Sequence, residues 1–123
     1  MIISLDTFSD VPIYQQLRNQ IVLGIATGDL RAGEKLPTIR ALATELGINM
    51  MTVSKAYQIL RQEGYINSDR RNGAWVAQQA GNEGAVHKLE DALRLIVAEA
   101  RLSGVAEETL IALCQKFYHE GEV

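Results

Sequence analysis

Leu36-Pro37-Thr38-Ile39-Arg40, Thr52-Val53-Ser54-Lys55-Ala56-Tyr57, Glu63-Gly64-Tyr65-Ile66 and Arg70-Arg71-Asn72-Gly73-Ala74-Trp75-Val76 follow one another between residues 36 and 76, and this stretch decides the fold. Thr38 is placed to cap a helix whose Ile39, Leu42, Ala43 and Leu46 form one apolar stripe, and Gly47 ends it. Only Ile48 and Asn49 separate it from a second helix, which Asn49 can cap. There Val53, Ala56, Tyr57 and Leu60 recur at i, i+3, i+4 and i+7 and commit one face to a core. The opposite face carries Met51, Ser54, Lys55, Gln58 and Gln62. Gly64 closes the helix, Tyr65 to Ser68 reads as a strand, Asp69 to Gly73 as a turn with Asn72-Gly73 as a hairpin pair, and Ala74 to Ala77 as the return strand. Two helices across a tight turn, followed by a basic hairpin, have the layout of a winged helix-turn-helix that reads duplex DNA.

On the N-terminal side, Asp10 is expected to cap a helix with Pro12 in its first turn. Ile13, Leu17, Ile21 and Ile25 give that helix its buried face, Gly28 ends it, and residues 28–35 read as a connecting loop. On the C-terminal side, residues 78–84 are polar and glycine-bearing and read as a linker between a domain at 1–77 and a helical tail at 85–123. In the tail Val86, Leu89, Leu93, Ile96, Val97 and Ala100 form a helical stripe that ends at Gly104, and Leu110, Leu113, Cys114 and Phe117 form a shorter one. The second tail helix opens on Val105-Ala106-Glu107-Glu108 without a Ser, Thr or Asp cap. Two helices this small have little to bury themselves against, so Leu89, Leu93, Ile96, Val97, Leu110, Leu113 and Phe117 are expected to pair with a second copy of the chain. A tail of this length is also expected to be too short for a self-contained ligand pocket of ~300 Å³.

With 123 residues, 47% apolar and 22% charged, the chain reads as an ordinary globular protein, mostly α with a small β-hairpin. No apolar run reaches ~18 residues and the start lacks the basic head of a secretory signal, which places the protein in the cytoplasm. The one cysteine, Cys114, has no Cys or His at metal-ligand spacing and reads as a small buried hydrophobe; His87 and His119 stand alone. No metal or cofactor is expected. Net charge is −3, yet residues 12–76 hold eight Lys/Arg against five Asp/Glu, whereas residues 77–123 hold four against eight. Such a split suits a chain of which one half meets a polyanion. No paired carboxylates, nucleophile with base, or phosphate-binding glycine loop stands at usable spacing, so an enzyme is not expected.

From Pro12 to Val76 the sequence resembles the GntR family of bacterial transcription regulators. The resemblance rests on Pro12-Ile13-Tyr14-Gln15-Gln16-Leu17, Gly33-Glu34-Lys35-Leu36-Pro37-Thr38-Ile39-Arg40, the Leu42-Ala43 and Leu46-Gly47 pairs, Thr52-Val53-Ser54-Lys55-Ala56-Tyr57, Leu60 with Glu63-Gly64, and Gly73 with Val76. The short two-helix tail is similar to that of the YtrA-like subfamily, whose members lack larger effector-binding domains. The resemblance implies a homodimeric regulator, a repressor, bound to an inverted-repeat operator. It implies that Arg40 contacts a guanine or a phosphate, that Thr38 caps its helix and donates to phosphate, and that Asn49, Met50, Met51 and Thr52 enter the major groove. Ser54 and Lys55 then lie further along the groove, and Arg70, Arg71 and Gly73 form the wing tip near the minor groove. Met50 and Met51 stand where relatives carry proline or polar residues, and Arg71 where relatives often have glycine, so the operator cannot be borrowed from them.

Bland alternatives stand beside these roles. Arg40 can pair with Glu45 or another acid, Ser54, Lys55 and Gln58 can be a solvated face, Arg70 and Arg71 can be ordinary turn charges, and Trp75 and Tyr57 read as packing rather than base-stacking groups. The rival class is a winged-helix docking module for proteins, which needs no duplex; exposed Met51 suits it, whereas Ser54, Lys55 and Gln58 do not. Any small-molecule effector is unspecified, with the interface between copies, or the space between tail and DNA-binding domain, as its expected place.

Overall fold

The structure, a computed structural model, describes residues 1–122; Val123, the end of the expected tail, lies outside the described residues. In chain order the elements are α1 (Ile13–Thr27), α2 (Ile39–Leu46), α3 (Met50–Gln62), β1 (Ile66–Asp69), β2 (Gly73–Val76), α4 (Ala85–Leu102) and α5 (Glu107–Tyr118). The chain divides into two compact units, Met1–Gln79 and Ala80–Val123.

In the first unit, α2 and α3 follow from their caps. Thr38 Oγ1 accepts from the Ala41 N–H at 3.0 Å and Asn49 Oδ1 from the Met51 N–H at 2.7 Å, so each helix starts on a satisfied donor. Gly47 ends α2 with φ 68°, a left-handed conformation that turns the chain into Asn49. The core joins Leu17 and Ile21 of α1, Leu42 and Ala43 of α2, Val53, Ala56, Tyr57 and Leu60 of α3, and Ile66 and Val76 of the hairpin.

Asp10 does not cap α1. The helix begins at Ile13 with Pro12 as its N-cap and no side-chain cap, and the Pro12 carbonyl accepts from Gln15 and Gln16, each at 3.0 Å. The Gln16 side chain instead ties down the arm before it, accepting from the Asp6 N–H at 2.8 Å and donating to the carbonyls of Asp6 at 2.9 Å and Val11 at 2.8 Å. Asp10 stands two residues before that N-cap and makes no capping bond.

Residues 28–36 are more than a connector. Leu30 and Leu36 are buried, and the backbone runs along β2: Gly33 N–H donates to Val76 at 2.8 Å, Val76 N–H to Glu34 at 2.9 Å, and Leu36 N–H to Ala74 at 2.9 Å, with Lys35 opposite Trp75. In the hairpin Ile66 pairs with Val76, Asn67 with Trp75, Ser68 with Ala74 and Asp69 with Gly73. The turn is therefore the three residues Arg70, Arg71 and Asn72, one residue shorter at each end than the turn expected over residues 69–73, and Asn72-Gly73 is not a type I′ pair. A type I′ turn needs positive φ at both central residues, whereas Gly73 alone takes that conformation here, at φ 73°.

The second unit is a helix pair. Gly104, at φ 74°, reverses the chain after α4, and the Val105 N–H closes the turn on the Ala100 carbonyl at 2.9 Å. Ala106 caps α5 without a side-chain bond, while Glu107 and Glu108 place negative charge at its positive end. Neither helix has a buried residue. Between them runs a groove of about 590 Å³ lined by Leu93, Val97, Ala100, Leu110, Ile111 and Cys114, among others. This corrects the expectation that the tail is too small for such a space: the facing apolar stripes of α4 and α5 do not close on each other. Cys114 is exposed in this chain, not buried.

Candidate nucleic-acid interface

The exposed face of α3 begins at its cap. Asn49 uses its carbonyl oxygen on Met51 and keeps its amide N–H groups for other acceptors. Met50 is 45% exposed and Met51 78%, an apolar pair at the open end of the helix, while Thr52 is half-buried and Ser54 exposed. Lys55 is also exposed, but its Nζ stands 4.0 Å from the centre of the Tyr14 ring on α1, within cation–π range. Its charge is thus held at the α1–α3 seam, not extended freely from α3.

Arg40 lies in the first turn of α2 and is exposed. Among the described residues no carboxylate comes within 4.0 Å of its guanidinium, so the alternative ion pair with Glu45 does not form. Thr38 accepts the capping bond through Oγ1, which leaves its hydroxyl proton available as a donor. Behind both residues Tyr57 reaches across from α3 and donates its hydroxyl to the Pro37 carbonyl at 2.8 Å. Burial pushes the Tyr57 phenol above its ordinary pKa, so it remains a neutral donor. Tyr57 therefore packs, as its spacing predicts, and also fixes the entry to α2.

Asp69 organises the wing. Its Oδ1 accepts from the N–H groups of Arg71 at 2.9 Å and Asn72 at 2.5 Å, and Oδ2 from the Asn72 side-chain amide at 3.0 Å. The bond from the Asn72 backbone, then the one from its side chain, holds the Asp69 carboxyl below its usual pKa. Arg70 and Arg71 are exposed and their guanidinium groups have no hydrogen-bond or ion-pair partner among the described residues. Gly73 sits beside them at the start of β2.

A cleft of about 340 Å³ separates α3 from the hairpin, and Thr38, Ser54, Gln58, Arg61, Ser68 and Gly73 are among its lining residues. Arg61 and Ser68 were not singled out from the sequence. The signal available was helical spacing, since Ser54, Gln58 and Arg61 stand at i, i+4 and i+7; what gave no sequence signal was Ser68, brought opposite by the hairpin. Arg18, by contrast, serves structure: it pairs with Glu63 through Nε at 2.9 Å and Nη2 at 2.8 Å, and lies over Tyr65. In the second unit Leu89, Leu93, Ile96, Val97, Leu113 and Phe117 are exposed and Leu110 is half-buried. Of these, Leu93, Val97 and Leu110 line the groove. Among the described residues no helix is long and apolar enough to cross a membrane, and no three His, Cys, Asp or Glu side chains gather as a metal site would need.

Residues 12–76, just over half of the chain, match the model of the bacterial regulatory proteins of the gntR family. The transcriptional repressor YtrA of Bacillus subtilis is 35% identical over 111 residues, which cover 88% of this chain and 85% of that protein. Longer regulators match in part: the mannosyl-D-glycerate transport/metabolism system repressor MngR of Escherichia coli is 35% identical over 71 residues, and the chain spans 30% of it. Among solved structures, a transcriptional antiterminator from Listeria monocytogenes superposes with a TM-score of 0.86 at 28% identity, covering 95% of this chain and 90% of that one. YtrA from Sulfolobus acidocaldarius, a GntR-family transcription factor, gives 0.66 at 39% identity, covering 83% and 99%. The DNA-binding domain of AraR in complex with its operator ORX1 gives 0.54 at 27% identity, covering 61% and 93%. With the capped α2–α3 pair, the three-residue wing and the two-helix tail, these matches place the chain in the GntR family of bacterial transcription regulators, among its YtrA-like members.

Proposed function

We propose that the protein is a sequence-specific DNA-binding transcription regulator, a repressor, that binds an inverted-repeat operator as a homodimer. The observation that carries the reading is the set of unpaired cations, Arg40, Arg70 and Arg71, flanking an α3 whose open end is free of acidic side chains. The AraR domain, similar in fold, was solved on operator DNA, and the similar YtrA of Bacillus subtilis is named a repressor. In this reading Asn49, Met50, Met51, Thr52 and Ser54 enter the major groove, with the methionines making apolar contact such as with a thymine methyl. Thr38 and Arg40 contact the flanking strand, Lys55 acts from the α1 side, and Arg70, Arg71 and Gly73 meet the minor groove or its phosphates. No ligand or cofactor is needed for these contacts.

The dimer is supported by the second unit. Phe117 is 58% exposed, Leu89 62%, Leu93 51% and Ile96 54%, a set of apolar side chains that two copies can cover together. Two-fold pairing accounts for a palindromic operator and combines two modestly charged modules. An effector, where one acts, has the α4–α5 groove or that interface as its place. Selection from random duplex, followed by titration of the full chain against the selected site, tests the reading. Enrichment of a symmetric site bound by two protomers is expected; absence of any enriched site refutes it and favours the docking-module alternative that exposed Met51 allows.

A further inference from the structure

The Arg61 guanidinium lines the cleft between α3 and the wing and is oriented there by Ser68, Nη1 to Oγ at 3.1 Å. It is exposed, and no carboxylate lies within 4.0 Å of it among the described residues. The one acidic residue that lines the cleft, Asp69, has both oxygens occupied by Arg71 and Asn72. Around Arg61 the walls offer further donors: the hydroxyls of Thr38, Ser54 and Ser68 and the Gln58 amide. A cleft with one fixed cation and several neutral donors, whose single carboxylate is already engaged by the N–H groups of the wing, suits a tetrahedral oxyanion.

We propose that this cleft is a backbone-phosphate site and that Arg61, oriented by Ser68, is a DNA-contacting residue additional to the helix-end and wing-tip residues. The inference rests on the duplex-binding reading above. Arg61 then acts independently of base sequence. It neutralises one phosphate where the strand passes between recognition helix and wing, and so fixes the angle at which the α3 end meets the bases. Ser68 is a positioning residue, because it acts through the direction it gives the guanidinium.

Salt dependence separates this role from a structural one. Each phosphate neutralised contributes about 0.9 to the slope of log affinity against log salt, so Arg61→Gln in the full chain should lower that slope by about one per bound protomer. The loss should be equal on the selected operator and on random duplex, while Arg61→Lys, which keeps the charge, retains the slope. Ser68→Asp, which sets a carboxylate against the same guanidinium, should reduce the slope without removing Arg61. Far-UV circular dichroism confirms that each variant is folded. A wild-type slope in folded Arg61→Gln, or in folded Ser68→Asp, overturns the phosphate site. If Arg40→Ala weakens operator binding in the same series, the duplex reading stands without it; if the unaltered chain shows no salt-sensitive binding to any duplex, both fall together.

Discussion

Replacing Tyr57 by Phe removes one oxygen atom from a core position and tests how the entry to α2 is held. The ring stays, so packing against the core is preserved, and what is lost is the 2.8 Å bond to the Pro37 carbonyl. Tyr57 is only 7% exposed, which limits the water available to replace the lost donor. A neutral bond contributes about 0.5–1.5 kcal/mol and an acceptor left unsatisfied costs about 1–3, which sets the expected loss at ~1–2 kcal/mol. For a unit of this size each kcal/mol shifts Tm by about 4–8 °C, so a drop of ~4–16 °C is expected. Trp75, the single tryptophan, lies in the first unit and reports its unfolding by fluorescence. The pH dependence has a definite sign. Burial raises the Tyr57 pKa in the folded chain above the ordinary phenol value of about 10, so its contribution is complete below pH ~10 and declines as pH rises beyond it and the unfolded chain ionises. The gap between wild type and Tyr57→Phe should be flat from neutral pH to about 9 and narrow above about 10. A variant with wild-type Tm at neutral pH, or a gap that widens with alkali, would refute the role given to the hydroxyl.

Arg40→Ala leaves no broken intramolecular pair behind, so stability should change by less than ~0.5 kcal/mol. Operator binding should lose ~1–3 kcal/mol per protomer, about 30-fold to 3 × 10⁴-fold for a dimer, measured by gel-shift titration; unchanged affinity excludes a bidentate base contact. Asp69→Ala should release the wing tip, seen as faster amide exchange at Arg71 and Asn72 at pH 5. In the unaltered chain the same amides should stay protected near the ordinary carboxylate pKa of about 4 and lose protection only at lower pH, because the folded Asp69 pKa is depressed. Leu93→Asp combined with Phe117→Asp should convert a dimer to monomer in sedimentation equilibrium and reduce operator affinity while the Trp75 signal stays unchanged. A double variant that sediments as wild type removes these residues from the interface.

What could be read from the chain was what repeats along it. Val53, Ala56, Tyr57 and Leu60 mark α3 by spacing, and Thr38 and Asn49 mark the helix starts by chemistry, because capping is local. The strand-like course of residues 33–36 was not legible, since its bonds run to β2 about forty residues away and it has no alternating pattern of its own. Asp10 misleads for a related reason: the bonds that order the arm come from Gln16, which the helical pattern treats as an ordinary outward residue. Asn72-Gly73 reads as a hairpin pair, but Asp69 and Gly73 pair across the strands and Asp69 captures the Asn72 N–H, which leaves Arg70 to Asn72 as the turn. Within the candidate interface Arg40, Arg70 and Arg71 were identifiable as positions. That Arg40 is unpaired and that Lys55 leans on Tyr14 depends on tertiary neighbours that no local rule supplies.

Among the described residues the second unit has no buried side chain in the single chain. For the proposed dimer this makes abundance an input signal: the concentration of dimers able to grip both half-sites rises with the square of monomer concentration when dimers are scarce. Operator occupancy then responds more steeply to synthesis and degradation of the protein than a monomeric reader of equal affinity would allow. Small changes in the apolar faces of α4 and α5 would move that threshold while leaving the DNA sequence preferred by α3 as it is.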